Sequence, residues 1–322
     1  MVALGCVIHS LTRIRRRKIF TNQLLKRRSK KMSERNTPVS AFHSIILDGK
    51  PGEGKSTVIK PIVDTLEEIY KDKDVIILLN GQPLHVVVEK VIKKDAPGRM
   101  QYIEAIYTPS VKVNEFHQAM SIGYTLVGAE MDLRERYPVY ENNKDLPKVI
   151  NVVERNSACA GAIFIASSFY NMRENSDVKE RAANYYDNSW DKVVCIRDRM
   201  LALAKRCLKH ATSHTVLILQ GSAELCFKKM MNRGRKFEAG GLTYDYMEKL
   251  DMIHRIYGGE RETDGRVVPA CQVYPMDKTA IFNVPTDPYY CQEEYDREMM
   301  IGELVERMMN HINEDLDRRG FN

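Results

Sequence analysis

The sequence predicts an α/β fold built on a five-stranded, mainly parallel sheet flanked by helices. Three observations carry this: five short apolar runs, helical stretches between them, and a glycine-rich turn joining the first run to the first helix. Strands separated by helices pair in parallel through right-handed crossovers. No internal repeat or low-complexity segment interrupts the pattern.

The first run, Ser44-Ile-Ile-Leu47, passes through Asp48 into Gly49-Lys-Pro-Gly-Glu-Gly-Lys-Ser-Thr57. Gly49, Gly54, Lys55 and Ser56 satisfy the pattern G-x-x-x-x-G-K-S/T, with Gly52 and Thr57 in the same loop. Such a loop turns backbone N–H groups inward around phosphates; its lysine reaches the outer phosphates and its hydroxyl takes Mg²⁺. The alternative, a structural glycine turn, does not account for the strand before it and the helical pattern after it (Val58, Ile59, Ile62, Val63, Leu66, Ile69). Pro61 falls inside that helix, where it removes a backbone hydrogen bond and is expected to kink it.

Asp74-Val-Ile-Ile-Leu-Leu-Asn80 reads as a second strand buried on both faces. From Leu84 to about Glu135 the pattern is mostly helical, broken at Pro97-Gly98 and Thr108-Pro109, and Tyr137 to Pro147 reads as a loop. The third run, Val149-Ile-Asn-Val-Val153, delivers Glu154 and Arg155 to the carboxyl edge of the sheet, where open parallel sheets bind ligands. Residues 160–211 read as helices, with Arg173 to Arg181 a solvated face. A fourth strand, Thr215-Val-Leu-Ile-Leu219, precedes a helix start at Gly221-Ser-Ala-Glu224, and that helix runs into Lys228 to Lys236. Ala280-Ile-Phe-Asn-Val284 is the last strand, followed by a helix from about Glu293 to Leu316.

The 322 residues, 43% hydrophobic and 29% charged, suffice for a full α/β core, and no apolar run is long enough to span a membrane. Seven cysteines, odd in number and without C-x-x-C spacing, suggest neither a zinc site nor a disulfide framework. The net charge of +6 comes from residues 1–33, which hold ten Lys/Arg and no Asp/Glu; the remainder carries 39 basic and 43 acidic residues, a net of −4. A mildly acidic body argues against nucleic-acid binding. Residues 1–40 therefore read as a basic leader and 41–322 as one domain. The leader fits a mitochondrial transit peptide, a bipartite nuclear address, or a disordered tail preceding Met32 of a protein that stays in the cytoplasm.

Lys55, Arg155, Arg233 and Arg235 can supply the positive charge that phosphoryl transfer requires, with Mg²⁺ on Ser56 and Glu154 nearby. Taken alone, Arg233-Gly-Arg235 reads as an exposed basic turn rather than as part of a site. Across residues 42–315, however, the chain resembles the deoxynucleoside kinases of the deoxycytidine, deoxyguanosine and thymidine kinase type. The motifs recur in order: the phosphate loop, Glu154-Arg-Asn-Ser-Ala-Cys-Ala160, Leu219-Gln-Gly-Ser-Ala-Glu-Leu-Cys226, and Arg233-Gly-Arg-Lys-Phe-Glu-Ala-Gly-Gly-Leu-Thr-Tyr-Asp-Tyr-Met-Glu-Lys-Leu250, which is similar to the family's Arg-rich lid.

The resemblance implies a P-loop kinase fold, ATP and Mg²⁺ as cofactors, a deoxynucleoside as substrate, and a homodimer. It implies that Arg155 holds the nucleoside 5′-oxygen, Glu154 serves Mg²⁺, and Arg233 and Arg235 close over the ATP phosphates, with Lys229 in place of a further arginine. Tyr107 and Glu238 would hold the 3′-hydroxyl and Gln118 would pair with the base. Ala160, where deoxycytidine-preferring relatives carry aspartate, points to a pyrimidine or a broad range. Gln82-Pro83 stands where the family has Glu-Pro, whose glutamate is the proposed general base; a glutamine amide takes no proton at neutral pH. The tryptophan that usually comes shortly after is replaced by Val86-Val-Val88. These departures keep two alternatives open: a catalytically weakened or non-enzymatic nucleotide-binding subunit of the same fold, and a nucleoside monophosphate (thymidylate) kinase.

Overall fold

The computed structural model describes residues 36–83, 115–167, 190–233, 243–263, 265–289 and 294–321. The central strand β1 (Ala41–Asp48) is buried along nearly its whole length. On one side it pairs in parallel with β4 (Lys148–Glu154), and β4 pairs in parallel with β2 (Val75–Leu79). On the other side β1 pairs in parallel with β5 (Ser213–Gln220), which pairs in parallel with β6 (Thr279–Pro285). These are the five expected strands, each flanked by sequence that supplies a crossover.

A sixth strand was not expected. β3 (Gln82–Pro83) folds back antiparallel on β2, giving the order β3-β2-β4-β1-β5-β6. Its cause is local: Leu79 pairs with Gln82 across Asn80-Gly81, whose φ angles of 49° and 72° are both left-handed. An Asn-Gly pair is the residue pair such a two-residue hairpin turn favours. The turn is pinned to β4, because Gly81 N donates to Asn151 Oδ1 at 2.9 Å and Glu154 N donates to Asn80 Oδ1 at 3.0 Å.

Helices cover both faces. On one, α1 (Lys55–Ile69) buries Val58, Ile59, Ile62, Val63 and Leu66 at the spacing of a single helix face. It packs with the C-terminal α8 (Glu294–Arg318) over Ile45, Leu47, Ile150 and Leu217. The helix is continuous through Pro61, and Thr65 Oγ1 donates to the Pro61 carbonyl at 2.8 Å. The other face holds α2 (Glu115–Arg136), the short α3 (Ser157–Cys159), which continues as a π-helical turn over Ala160–Phe164, and α4 (Trp190–Leu208). It also holds α5 (Ala223–Arg233), α6 (Tyr244–Tyr257) and the four-residue α7 (Ala270–Val273). The Ser222 hydroxyl accepts from Leu225 N at 3.3 Å, the polar start read for α5. No helix among the described residues is long and apolar enough to cross a membrane.

One polar chain crosses the core. His43, fully buried, lies 2.7 Å from Ser213 Oγ and 2.9 Å from Thr215 Oγ1, and Thr215 Oγ1 donates to Asp315 on α8 at 2.8 Å. Burial and the neighbouring His214 lower the His43 pKa to about 3, so it stays neutral and serves the sheet rather than chemistry.

Candidate functional site

The loop Gly49–Thr57 leaves the carboxyl end of β1, between the ends of β4 and β5, where the strand order reverses. Gly52 has φ 85°, and a Cβ there would lie 2.3 Å from the Cys226 carbonyl oxygen. Gly54, at φ 82°, turns the chain into α1, with no side chain capping the helix start. The loop conformation therefore needs glycine at both positions.

Lys55 is buried, and its ammonium donates to the Gly49 and Lys50 carbonyls at 2.7 Å each, bracing the loop from inside. Burial, with Arg155 next, lowers its pKa to about 8 despite the nearby acids. Ser56 Oγ stands 3.5 Å from a Glu154 carboxylate oxygen at the exposed mouth of the loop. A hydroxyl and a carboxylate side by side are hard oxygen donors of the kind Mg²⁺ takes when it also holds waters and substrate phosphates.

Arg155 adopts φ 62°, a left-handed backbone uncommon outside glycine and of the kind that clusters at functional sites. Its N–H donates to the Leu47 carbonyl at 3.0 Å, and its guanidinium donates to the Gly49 carbonyl at 2.8 Å and lies over the Phe164 ring at 5.0 Å. Asp48 accepts from Gly49 N at 2.6 Å, with Arg155 Nε at 4.0 Å and His254 Nε2 at 3.8 Å. Burial pushes the Asp48 carboxyl upward, but the His254 and Arg155 side chains outweigh it and hold the pKa below the ordinary value.

A second cluster, invisible to motif reading, sits inside the loop. Lys50 is fully buried and donates to Glu53 at 2.5 Å, to Asp251 of α6 at 2.8 Å and to the Gly221 carbonyl. Glu53, also fully buried, accepts from Gly221 N at 2.9 Å. Asp251 in turn accepts from Arg255 Nε at 2.9 Å. Burial opposes the charge on Lys50, yet Glu53 and Asp251 raise its pKa above the free value. The loop is thus bolted to the end of β5 through Glu53 and to α6 through Lys50.

Of the residues singled out from sequence, the structure brings together Gly49, Gly52, Gly54, Lys55, Ser56, Thr57, Glu154 and Arg155. Arg233 is exposed at the end of α5, beyond Lys229, whose pKa burial lowers to about 7. Gln82 opens β3, and Gln118 lies in the first turns of α2. Tyr107, Arg235 and Glu238 lie outside the described residues. No group of three or more His, Cys, Asp or Glu that could hold a metal ion occurs among the described residues. Sequence reasoning missed Lys50, Glu53 and Asp251; the one available signal was a charged pair inside a loop that otherwise needs only glycines, lysine and a hydroxyl.

Sheet order, phosphate-loop geometry and flanking helices define an α/β protein of the P-loop kinase fold. No family model matches the chain. It is 32% identical over 275 residues to the uncharacterized protein ORF44 of Ostreid herpesvirus 1 (isolate France), covering 83% of this chain and 88% of that protein. The chain belongs to the family of that viral protein. Among solved structures, it aligns with the deoxyadenosine kinase of M. mycoides bound to dATP at a TM-score of 0.40 and 16% identity, over 81% of this chain and 98% of that one.

Proposed function

We propose that the protein is an ATP-dependent deoxynucleoside kinase, transferring the γ-phosphoryl group to a deoxynucleoside 5′-hydroxyl in nucleotide salvage for DNA synthesis. The observation that supports this best is the juxtaposition at the loop mouth: Ser56 Oγ and the Glu154 carboxylate at 3.5 Å, with Lys55 braced behind the loop and Arg155 anchored to the Gly49 carbonyl. Phosphoryl transfer asks little covalent work of a protein and much positioning of charge. Bound Mg·ATP supplies the phosphoryl group, and Ser56 and Glu154 are the residues to hold its metal.

The loop N–H groups and Lys55 cradle the donor phosphates. Arg155 is the cation at the boundary between donor and acceptor, and the family resemblance assigns Arg233, at the end of α5, and Arg235 to the ATP phosphates. For the acceptor side, the family resemblance assigns the 3′-hydroxyl to Tyr107 and Glu238 and the base to Gln118. Gln82 provides no base, so as the O–P bond to the 5′-oxygen forms and the bond to the ADP leaving group breaks, the hydroxyl proton passes late to an oxygen of the transferred phosphoryl group, as a loose transition state allows.

Incubation with Mg·ATP and each of the four deoxynucleosides, followed by product separation, tests the proposal. A deoxynucleoside monophosphate from at least one is expected, and none from any overturns it. Gln82 is the specific observation favouring a weakened or non-enzymatic nucleotide-binding subunit, which would bind Mg·ATP without turnover. A thymidylate kinase would prefer thymidine monophosphate to thymidine in direct competition.

A further inference from the structure

Arg155 is the residue on which donor and acceptor halves meet, and its left-handed backbone needs support from the next residues in the chain. Asn156 and Ser157 are both buried. Asn156 Oδ1 accepts from Cys159 N at 3.1 Å, capping α3, and from the Tyr274 hydroxyl at 3.1 Å. Ser157 is gripped from the opposite side: its N–H donates to Glu130 Oε1 at 2.7 Å and its hydroxyl donates to Glu130 Oε2 at 2.6 Å. Glu130 sits on α2 and lines, together with Asn80, Arg155 and Asn156, one cavity of ≈ 70 Å³. From its position on α2 it reaches across to the segment that carries Arg155.

We propose that Glu130 is a positioning residue for the reaction: by clamping both donors of Ser157 it fixes the Arg155 turn in the geometry that phosphoryl transfer needs. The inference rests on the kinase reading for its kinetic consequence and on the structure alone for the clamp. Burial raises the Glu130 pKa, while Ser157 and the Cys207 thiol favour the charged form. Two short bonds into one residue are strong ones, because the acceptor is a carboxylate. Misplacement of a reacting group by about 1 Å can cost ~10²-fold in rate, so a small relaxation of this turn is enough to matter.

Kinetics and hydrogen exchange on Glu130→Ala, Glu130→Gln, Ser157→Ala and the Glu130→Ala/Ser157→Ala double variant test the proposal, with thermal melts to confirm folding. Glutamine retains an acceptor for Ser157 N–H and offers an amide donor to its hydroxyl, so it can preserve the clamp but cannot take a proton. Glu130→Ala should lower kcat by roughly 10- to 100-fold with the ATP KM within about twofold of wild type. Glu130→Gln should stay within about fivefold of wild type, and the double variant should be no worse than Glu130→Ala, since Glu130→Ala already removes both bonds to Ser157, including the hydroxyl bond that Ser157→Ala removes.

In Glu130→Ala the peptide spanning Arg155 to Cys159 should exchange its amides faster, with or without nucleotide. The proposal falls if Glu130→Ala keeps kcat within twofold, if Glu130→Gln loses as much as Glu130→Ala, which would make Glu130 a proton acceptor, or if exchange is unchanged. If the wild-type protein makes no monophosphate, the kinase reading fails by itself and the exchange result alone decides the clamp. If Glu130→Ala does not fold, Ser157→Ala, which removes only the hydroxyl bond, carries the same exchange and kinetic expectations at smaller amplitude.

Discussion

Binding of a nucleoside triphosphate should draw protons from solvent at pH 8. Burial lowers the Lys55 pKa to about 8 and the Lys229 pKa to about 7, so at pH 8 about half of the Lys55 amines and about nine-tenths of the Lys229 amines are neutral. A polyphosphate placed against both favours the charged forms. Full recharging takes up about 1.4 protons per site at pH 8 and only about 0.3 at pH 6.5. Isothermal titration calorimetry with Mg·ATP, in buffers of different ionisation enthalpy, measures this number directly. Lys229→Met should remove about 0.9 of the protons at pH 8 and leave the Lys55 share.

The sign extends to affinity and stability. Because the complex holds more protons than the free protein, nucleotide affinity falls as pH rises from 7 to 9. In the nucleotide-free protein both pKa values are depressed relative to an unfolded lysine, so between about 7 and about 10.5 the unfolded chain binds more protons and folding stability rises with pH. Uptake below about 0.3 protons at pH 8, or an uptake unaltered by Lys229→Met, would refute the reasoning that these amines are discharged by burial and recharged by phosphate.

Three further outcomes are expected. Gly52→Ala forces a Cβ to 2.3 Å from the Cys226 carbonyl at φ 85°; it should cost about 1–3 kcal/mol, read by urea unfolding, and weaken Mg·ATP binding in parallel. Asp251→Asn removes the charged partner of Lys50 and Arg255 and should cost about 1–3 kcal/mol at pH 7. Burial pushes the Asp251 pKa upward, but Lys50 and Arg255 hold it below the free value. The stabilisation is therefore present above the unfolded carboxylate pKa and lost as pH falls through the depressed folded one, so wild type and variant should converge in denaturation curves once the pH has fallen through that depressed pKa. Gln82→Glu should raise kcat for the preferred nucleoside by at least ~10-fold, since a positioned base typically contributes 10²–10⁴-fold, and steady-state kinetics will show whether it does.

What could be read from the chain divides along a physical line. Apolar runs such as Val75–Leu79, and Val149–Val153 with only the hydrogen-bonded Asn151 inside it, fix buried parallel strands, because sequence largely apolar on both faces is what survives between two helix layers. The helix continues past Pro61 because the core-facing residues on both sides of it, Ile59 and Ile62, belong to the apolar cluster shared with α8 and the sheet, and tertiary packing outweighs one missing hydrogen bond. The β3 hairpin was legible in principle from Asn80-Gly81, a short-range signal overlooked because only two residues pair beyond it. Glu130 and Asp251 were not legible at all: each acts on a residue that is distant in sequence, and a helix acid looks like any solvated charge until the fold brings Ser157 or Lys50 to it.

The same line separates donor from acceptor. The donor site is assembled from backbone that one short segment dictates: Gly52 and Gly54 set the loop, Lys55 braces it through the carbonyls of Gly49 and Lys50, and Ser56 comes next at the mouth. A local motif can therefore announce it. Arg155, by contrast, is placed by Leu47, Gly49 and Phe164 around it and by the turn that Tyr274 and Glu130 grip just behind it, contributions from four separate segments of chain. Its left-handed backbone is tolerable only while those contacts hold. In the kinase reading proposed above, a cation held by long-range contacts is tuned by residues that no local motif reports, whereas the phosphate loop matches the expected motif in full. The departures from the resemblance, Gln82 and Val86-Val-Val88, fall outside that loop.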